Sequence, residues 1–169
     1  MKLKTILLIL ILFISFNLKA DESFIDYTNQ TFKYKAFIPV GWAKSEFDLR
    51  YKHLLKLKKG KNAEIKITAA EFSKEEIEKW NNWRLWYTDK IGKNIWVITE
   101  TDNFLQEKDI TGKLIVFQYD SSCGKMMQRI LISKTNKFIY IIECSSPLNL
   151  FKNYTDTFNT VMGSIKTNE

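Results

Sequence analysis

A chain of 169 residues with 45% hydrophobic and 27% charged side chains has the size of one folded domain, and it carries no internal repeat or low-complexity tract. Its formal charge of +7 at pH 7 is spread over 26 basic and 19 acidic residues, a balance too mild to argue for nucleic acid. A single histidine, His53, leaves little room for zinc sites or base–nucleophile pairs, which draw on at least one positioned imidazole.

Lys2 and Lys4 precede an apolar run from Ile6 to Ile14 that trails through Phe16 and Leu18 to Ala20, with Asp21 and Glu22 behind it. The pattern reads as a secretory signal peptide over residues 1–20. Its run is shorter than the ~20 residues of a spanning helix, and Ala20 offers a small residue at the cleavage point. The expected product is one exported domain, residues 21–169, periplasmic or extracellular and without a transmembrane span; an uncleaved anchor is the alternative. Losing Lys2, Lys4 and Lys19 makes it only mildly basic.

After a polar lead from Asp21 to Gln30, Phe32, Tyr34, Ala36 and Ile38 alternate with polar neighbours and predict a first strand, ended by Pro39-Val40-Gly41-Trp42. A second alternation sets Phe47, Leu49, Tyr51, His53, Leu55 and Leu57 on one side of a long strand with a possible break midway. Lys59-Gly60-Lys61-Asn62 is a turn, and Ala63, Ile65, Ile67 and Ala69 mark a third strand. Ser73 and Glu76 form a capping box opening a helix through Ile91, with a buried arc of Ile77, Trp80, Trp83, Tyr87 and Ile91. Leu85 and Trp86 fall outside that arc and are candidates for partner contact or for a second packing layer.

Ile95 to Thr99 is a β-rich run, Thr101 to Asn103 a turn, Phe104 to Ile110 an edge strand or loop, and Leu114 to Tyr119 a clearer strand. Met126 to Ser133 and Phe138 to Glu143 read as a hairpin around Lys134-Thr135-Asn136-Lys137. The unbroken run Phe138 to Ile142 is too short for a helix and reads as a strand buried on both faces. Ser146-Pro147 then resembles a helix start, with Phe151, Tyr154, Phe158, Val161, Met162 and Ile165 on one face. The order predicts an α+β fold, a central and mostly antiparallel sheet covered by helices on both faces.

Cys123 and Cys144 are the only cysteines, and an even count in an exported chain points to a disulfide. A turn centred between Thr135 and Asn136 sets Cys144 opposite Met127, four residues or roughly 13 Å from Cys123, so two free thiols remain the alternative. His53 lies on an apolar face and reads as a core or sheet-edge histidine. Ser122-Cys123-Gly124-Lys125 matches a Ser-x-x-Lys pattern, but that pattern needs a helix and a strand follows. Cys123, Met126 and Met127 could present soft sulfur ligands, yet adjacent methionines on a strand point to opposite faces. With no Gly-rich phosphate loop, EF-hand loop or spaced carboxylate pair, no cofactor is expected. Arg50, Lys52, Lys56, Lys58, Lys59, Lys61 and Lys66, opposed by Asp48 and Glu64, predict a cationic hairpin face: a solvated edge, or a site for an anionic surface or partner.

Tyr34 to Trp42, the strand Ile65 to Ala70 before a capped helix, and Phe138 to Cys144 before Ser146 to Ile165 together resemble the PsbP family and its bacterial secreted relatives. That resemblance implies an α/β/α sandwich and a binding or assembly role more than catalysis. Only the fold motif Pro39, Gly41 and Trp42 carries over. The expected function is therefore a non-enzymatic binding or assembly module of the cell envelope. A carrier of lipid or another apolar ligand, and an enzyme using Ser122, Cys123 or His53, are the alternatives.

Overall fold

The computed structural model describes residues 22–91, 95–107 and 110–167; the expected signal peptide, residues 1–20, lies outside them. The chain order is β1 (Phe24–Asn29), β2 (Tyr34–Pro39), β3 (Ala43–Leu49), β4 (Lys52–Lys59), β5 (Ala63–Glu71), α1 (Lys74–Asn81), α2 (Trp83–Ile91), β6 (Ile95–Glu107), β7 (Ile110–Ser121), β8 (Gly124–Lys134), β9 (Phe138–Pro147), α3 (Phe151–Gly163) and β10 (Lys166–Thr167). Seven strands form one antiparallel sheet in the order β3-β4-β5-β9-β8-β7-β6, and β1-β2-β10 form a second.

The expected α/β/α sandwich is corrected by this topology: the fold is mostly β, a sandwich of two antiparallel sheets rather than one sheet between helical layers. One face of the large sheet is covered by the small sheet together with α3. Tyr34, Ala36 and Ile38 of β2 meet Leu55, Ile65, Ile67, Tyr140 and Ile142, and Phe158 and Val161 of α3 complete the cluster. The aromatic rings pack on one another: Tyr34 and Tyr140 lie 5.8 Å apart, Phe151 and Phe158 5.5 Å. The Tyr140 hydroxyl donates to the Phe32 carbonyl at 2.9 Å, joining the sheets. On the opposite face Trp83 of α2 packs with Ile115, Phe117, Ile130, Ile132 and Ile139.

β9 is the middle strand of seven, and Ile139 belongs to one cluster while Tyr140 and Ile142 belong to the other. The unbroken apolar run thus has the two-sided burial expected of it. Its continuation differs: β9 runs on to Pro147, which pairs with Met126, and α3 begins only at Phe151 with Leu150 as its N-cap. Proline donates no ladder bond, which suits the last residue of a strand.

Three other departures have local causes. The long second strand is a hairpin, folded at Arg50-Tyr51, in which Leu49 pairs with Lys52 and Asp48 with His53. A two-residue turn puts residues three apart on the same face and inverts the alternation, so Phe47 and Leu49 share a face with Leu54 instead of His53 and stay exposed. β6 runs through the expected turn at Thr101 to Asn103, with register shifts against β7 between Val97 and Thr99 and between Asp102 and Gln106 absorbing the irregular pattern. The expected helix to Ile91 is divided into α1 and α2, and Trp83 of its arc is buried. Among the described residues no helix is long and apolar enough to cross a membrane.

The expected disulfide is also corrected. Thr135 N–H donates to the Phe138 carbonyl at 2.9 Å, which moves the turn and sets Cys144 opposite Arg129. Six strand residues, roughly 20 Å, then separate that position from Cys123. Both are free thiols, Cys123 exposed and Cys144 buried, and burial pushes the Cys144 thiol well above its usual range.

Candidate functional site

The cationic face forms because β4 and β5 close on Gly60, whose φ of +58° suits a residue without a Cβ, with Asn62 N–H donating to the Lys59 carbonyl at 3.1 Å. The register places Lys56 directly opposite Lys66, a like-charge pair that would oppose strand pairing. Glu64 relieves it. Its carboxylate lies 3.0 Å from Lys56 Nζ, 3.4 Å from Lys58 Nζ and 3.0 Å from Lys66 Nζ. Burial pushes the Glu64 carboxyl up, but Lys66 and Lys56 outweigh it and hold the group below its usual range. For Lys66, burial lowers the ammonium, and Glu143 and Glu64 reverse this and raise it.

This balance has a sign in pH. A carboxyl held lower in the folded than in the unfolded chain stabilises the fold above the ordinary glutamate range near 4.3, and that contribution is lost as pH falls through the folded value. Wild type is expected to lose on the order of 1 kcal/mol more than Glu64→Gln between about pH 5 and pH 3, in urea titrations at each pH.

The four candidate lysines therefore differ in their partners. Lys56 and Lys58 share the one carboxylate of Glu64 with Lys66, and among the described residues Lys59 reaches Glu22, at 4.0 Å, while Lys61 at the tip has no carboxylate within 4 Å. Beside the tip lies a cleft of about 290 Å³, bounded by Lys58, Lys61, Asn62 and Glu64 and, across the sheet, by Tyr119 and Ser145. Lysine ammoniums, an amide and hydroxyls converge there, donors suited to phosphate or carboxylate oxygens. Sequence reading found the lysines because they cluster in the chain; Tyr119 and Ser145 come from β7 and β9, and Glu22 from the polar lead, so no local pattern marked them.

Leu85 is 64% exposed on α2, beside a separate hollow lined by Asn81, Arg84 and Thr88, while the Trp86 side chain lies outside the described residues. The two partner candidates share no lining residue. Ser122 and Cys123 sit in the β7–β8 turn, where Ser121 Oγ donates to the Gly124 carbonyl at 2.8 Å. Lys125 lies on a strand, so the Ser-x-x-Lys spacing has no helix to align it. His53 is fully buried on β4, three strand positions from β8, or roughly 14 Å. The reactive residues of the enzyme alternative are therefore not assembled.

No family model matches the sequence, and no curated protein does. Among solved structures, the solution structure of cyanobacterial PsbP (CyanoP) from Synechocystis superposes with a TM-score of 0.68 at 9% identity, covering 90% of this chain and 96% of that one. A Bacteroides thetaiotaomicron protein superposes at 0.54 with 8% identity over 85% of this chain, which spans 48% of that protein. A Pseudomonas aeruginosa protein of unknown function, a putative regulator, reaches 0.47 at 11% identity over 80% of this chain and 91% of its own. The match to CyanoP covers nearly all of both chains, and on that ground the chain carries a PsbP-like fold.

Proposed function

We propose that this protein is an exported, non-enzymatic binding module of the cell envelope that docks an anionic partner surface through the β4–β5 tip. The carrying observation is an excess of positive charge at a polar cleft: Lys56, Lys58 and Lys66 share the single carboxylate of Glu64, and Lys58 and Lys61 line the cleft beside it. β4 and β5 are each paired on both sides, so these lysines have no open strand edge to protect. The likeness of the fold to CyanoP, named as a PsbP protein, supports a module without chemistry of its own, and the reading of residues 1–20 as a signal peptide supports export.

Charge reversal at Lys61, which lines the cleft and has no carboxylate within 4 Å among the described residues, is expected to change stability by less than ~0.5 kcal/mol yet abolish retention on an envelope extract. Wild-type retention should weaken with salt, since exposed charges are screened beyond ~8 Å at physiological ionic strength. Reversal at Lys56 should instead destabilise the fold, because it sets a second carboxylate against Glu64. Salt-insensitive retention that survives the reversal at Lys61 would overturn the proposal.

A further inference from the structure

Where the small sheet meets the free edge of the large one, three side-chain links run in series. Asp48 Oδ1 and His53 Nδ1 are 2.6 Å apart, His53 Nε2 and the Tyr27 hydroxyl 3.0 Å, and the Tyr27 hydroxyl donates to Glu46 Oε1. His53 is fully buried and Tyr27 nearly so. The links tie β1 through β4 to the edge strand β3, every residue of which is exposed. From this geometry we infer that the chain is a proton-dependent latch between the two sheets, complete only while His53 carries hydrogens on both ring nitrogens.

The argument is a count of hydrogens. Both ends of the series are carboxylates, which accept and do not donate. Three links need three hydrogens. Tyr27 supplies one, and its hydroxyl stays protonated because burial, and then Glu46, push it up to about 12. Neutral imidazole supplies a second, and the third is a proton taken up from solvent. Two carboxylates face the ring. Glu46 Oε1 lies 3.8 Å from Nε2, and Asp48 flanks the other nitrogen. Glu46 itself, pushed up by burial but more strongly drawn down by Tyr27 and Lys44, is held below its usual range and remains an acceptor. Lys44 stands 2.9 Å from Glu46 and 4.7 Å from the Tyr27 ring centroid. From β2, Tyr34 brings only its neutral ring, 5.9 Å from that of His53.

With the third hydrogen supplied by solvent, the latch is complete on the acid side and loses one link as pH rises. When it is lost, Tyr27 turns its single hydrogen either to Nε2 or to Glu46, and the other contact brings two lone pairs together. Either outcome weakens the hold on β3, whose Phe47 and Leu49 face solvent at 54% and 64% exposure.

Glu46→Gln separates this reading from simple packing. The glutamine amide donates to Tyr27, Tyr27 donates to Nε2, and Nδ1–H donates to Asp48, so all three links exist with a neutral ring. In wild type, the protection of β3 amides against hydrogen exchange, corrected for intrinsic rates, should fall roughly fivefold from about pH 5.5 to pH 8, the loss of one hydrogen bond across the imidazole range. In Glu46→Gln it should stay flat. Nitrogen-15 NMR of wild-type His53 reads the same event without a mutation: both ring nitrogens protonated at pH 5.5, and one losing its hydrogen over the interval in which β3 loosens. Equal pH dependence in the two proteins, or a ring with a single N–H throughout, would overturn the latch.

Discussion

Replacing Trp42 with alanine is expected to lower stability by about 3–5 kcal/mol, the range for removing a buried tryptophan without refilling its space. The ring is 7% exposed and meets Tyr154 of α3 edge to face, with centroids 6.0 Å apart. Its Nε1 donates to Glu22 Oε1 at 2.5 Å, and Glu22 also accepts from Thr157 Oγ1 and lies 4.0 Å from Lys59 Nζ. Trp42 thus closes one end of the main cluster and anchors the carboxylate that joins the chain before β1 to α3 and the cationic tip. Trp42→Phe keeps most of the ring and removes the donor, so it should fall well short of the alanine loss. Denaturant titration of both variants apportions the effect. A loss below ~1 kcal/mol for the alanine would mean that the ring is not part of the core.

The second large effect is expected on the other face. Trp83→Ala should also cost about 3–5 kcal/mol, because Trp83 is the helical ring in the second cluster, 6.0 Å from Phe117. Its Nε1–H donates to Glu100 at 3.3 Å, holding α2 against β6. The two losses should differ in kind. The main cluster, with Tyr34, Tyr140 and Phe158 fully buried, does not include Trp83, so hydrogen exchange in Trp83→Ala should rise over α1 and α2 while β2 and α3 stay protected. Uniform loss of protection would show that the two clusters fold as one cooperative unit.

The elements read correctly from sequence are those whose evidence is local and repeated. β2 and β5 each show an alternation in which inward residues are apolar, and β9 shows a continuous run; burial alternates with the pattern from Tyr34 to Ile38 and from Ala63 to Ile67, and Ile139, Tyr140 and Ile142 of β9 are buried. Trp83 and the apolar face of α3 were legible for the same reason, as was the cationic tip, since Lys58, Lys59 and Lys61 are near neighbours in the chain. Cys123 and Cys144 show how quickly this fails with distance. A change of two residues in the opposed partner, set by one turn hydrogen bond, removes a disulfide that counting cysteines favoured.

What the sequence by itself determined is which stretches are apolar enough to be strands, which residues of β2, β5 and β9 face inward, and where charge accumulates. The tertiary structure alone decided how these strands are partnered. Period-two alternation is blind to a two-residue turn, because the turn preserves the rhythm while exchanging the faces, so only pairing revealed that Phe47 and Leu49 part company with His53. The same holds for the second layer. β10 is two residues long and exists because Lys166 and Thr167 find Lys35 and Tyr34 far away in the chain, and β1 is a strand because β2 supplies its hydrogen bonds. A backbone group takes its partner from whatever the fold brings beside it. That is why Glu22, Glu46, Tyr119 and Ser145, unremarkable where they stand in the chain, were assigned their places only by the packing of the two sheets.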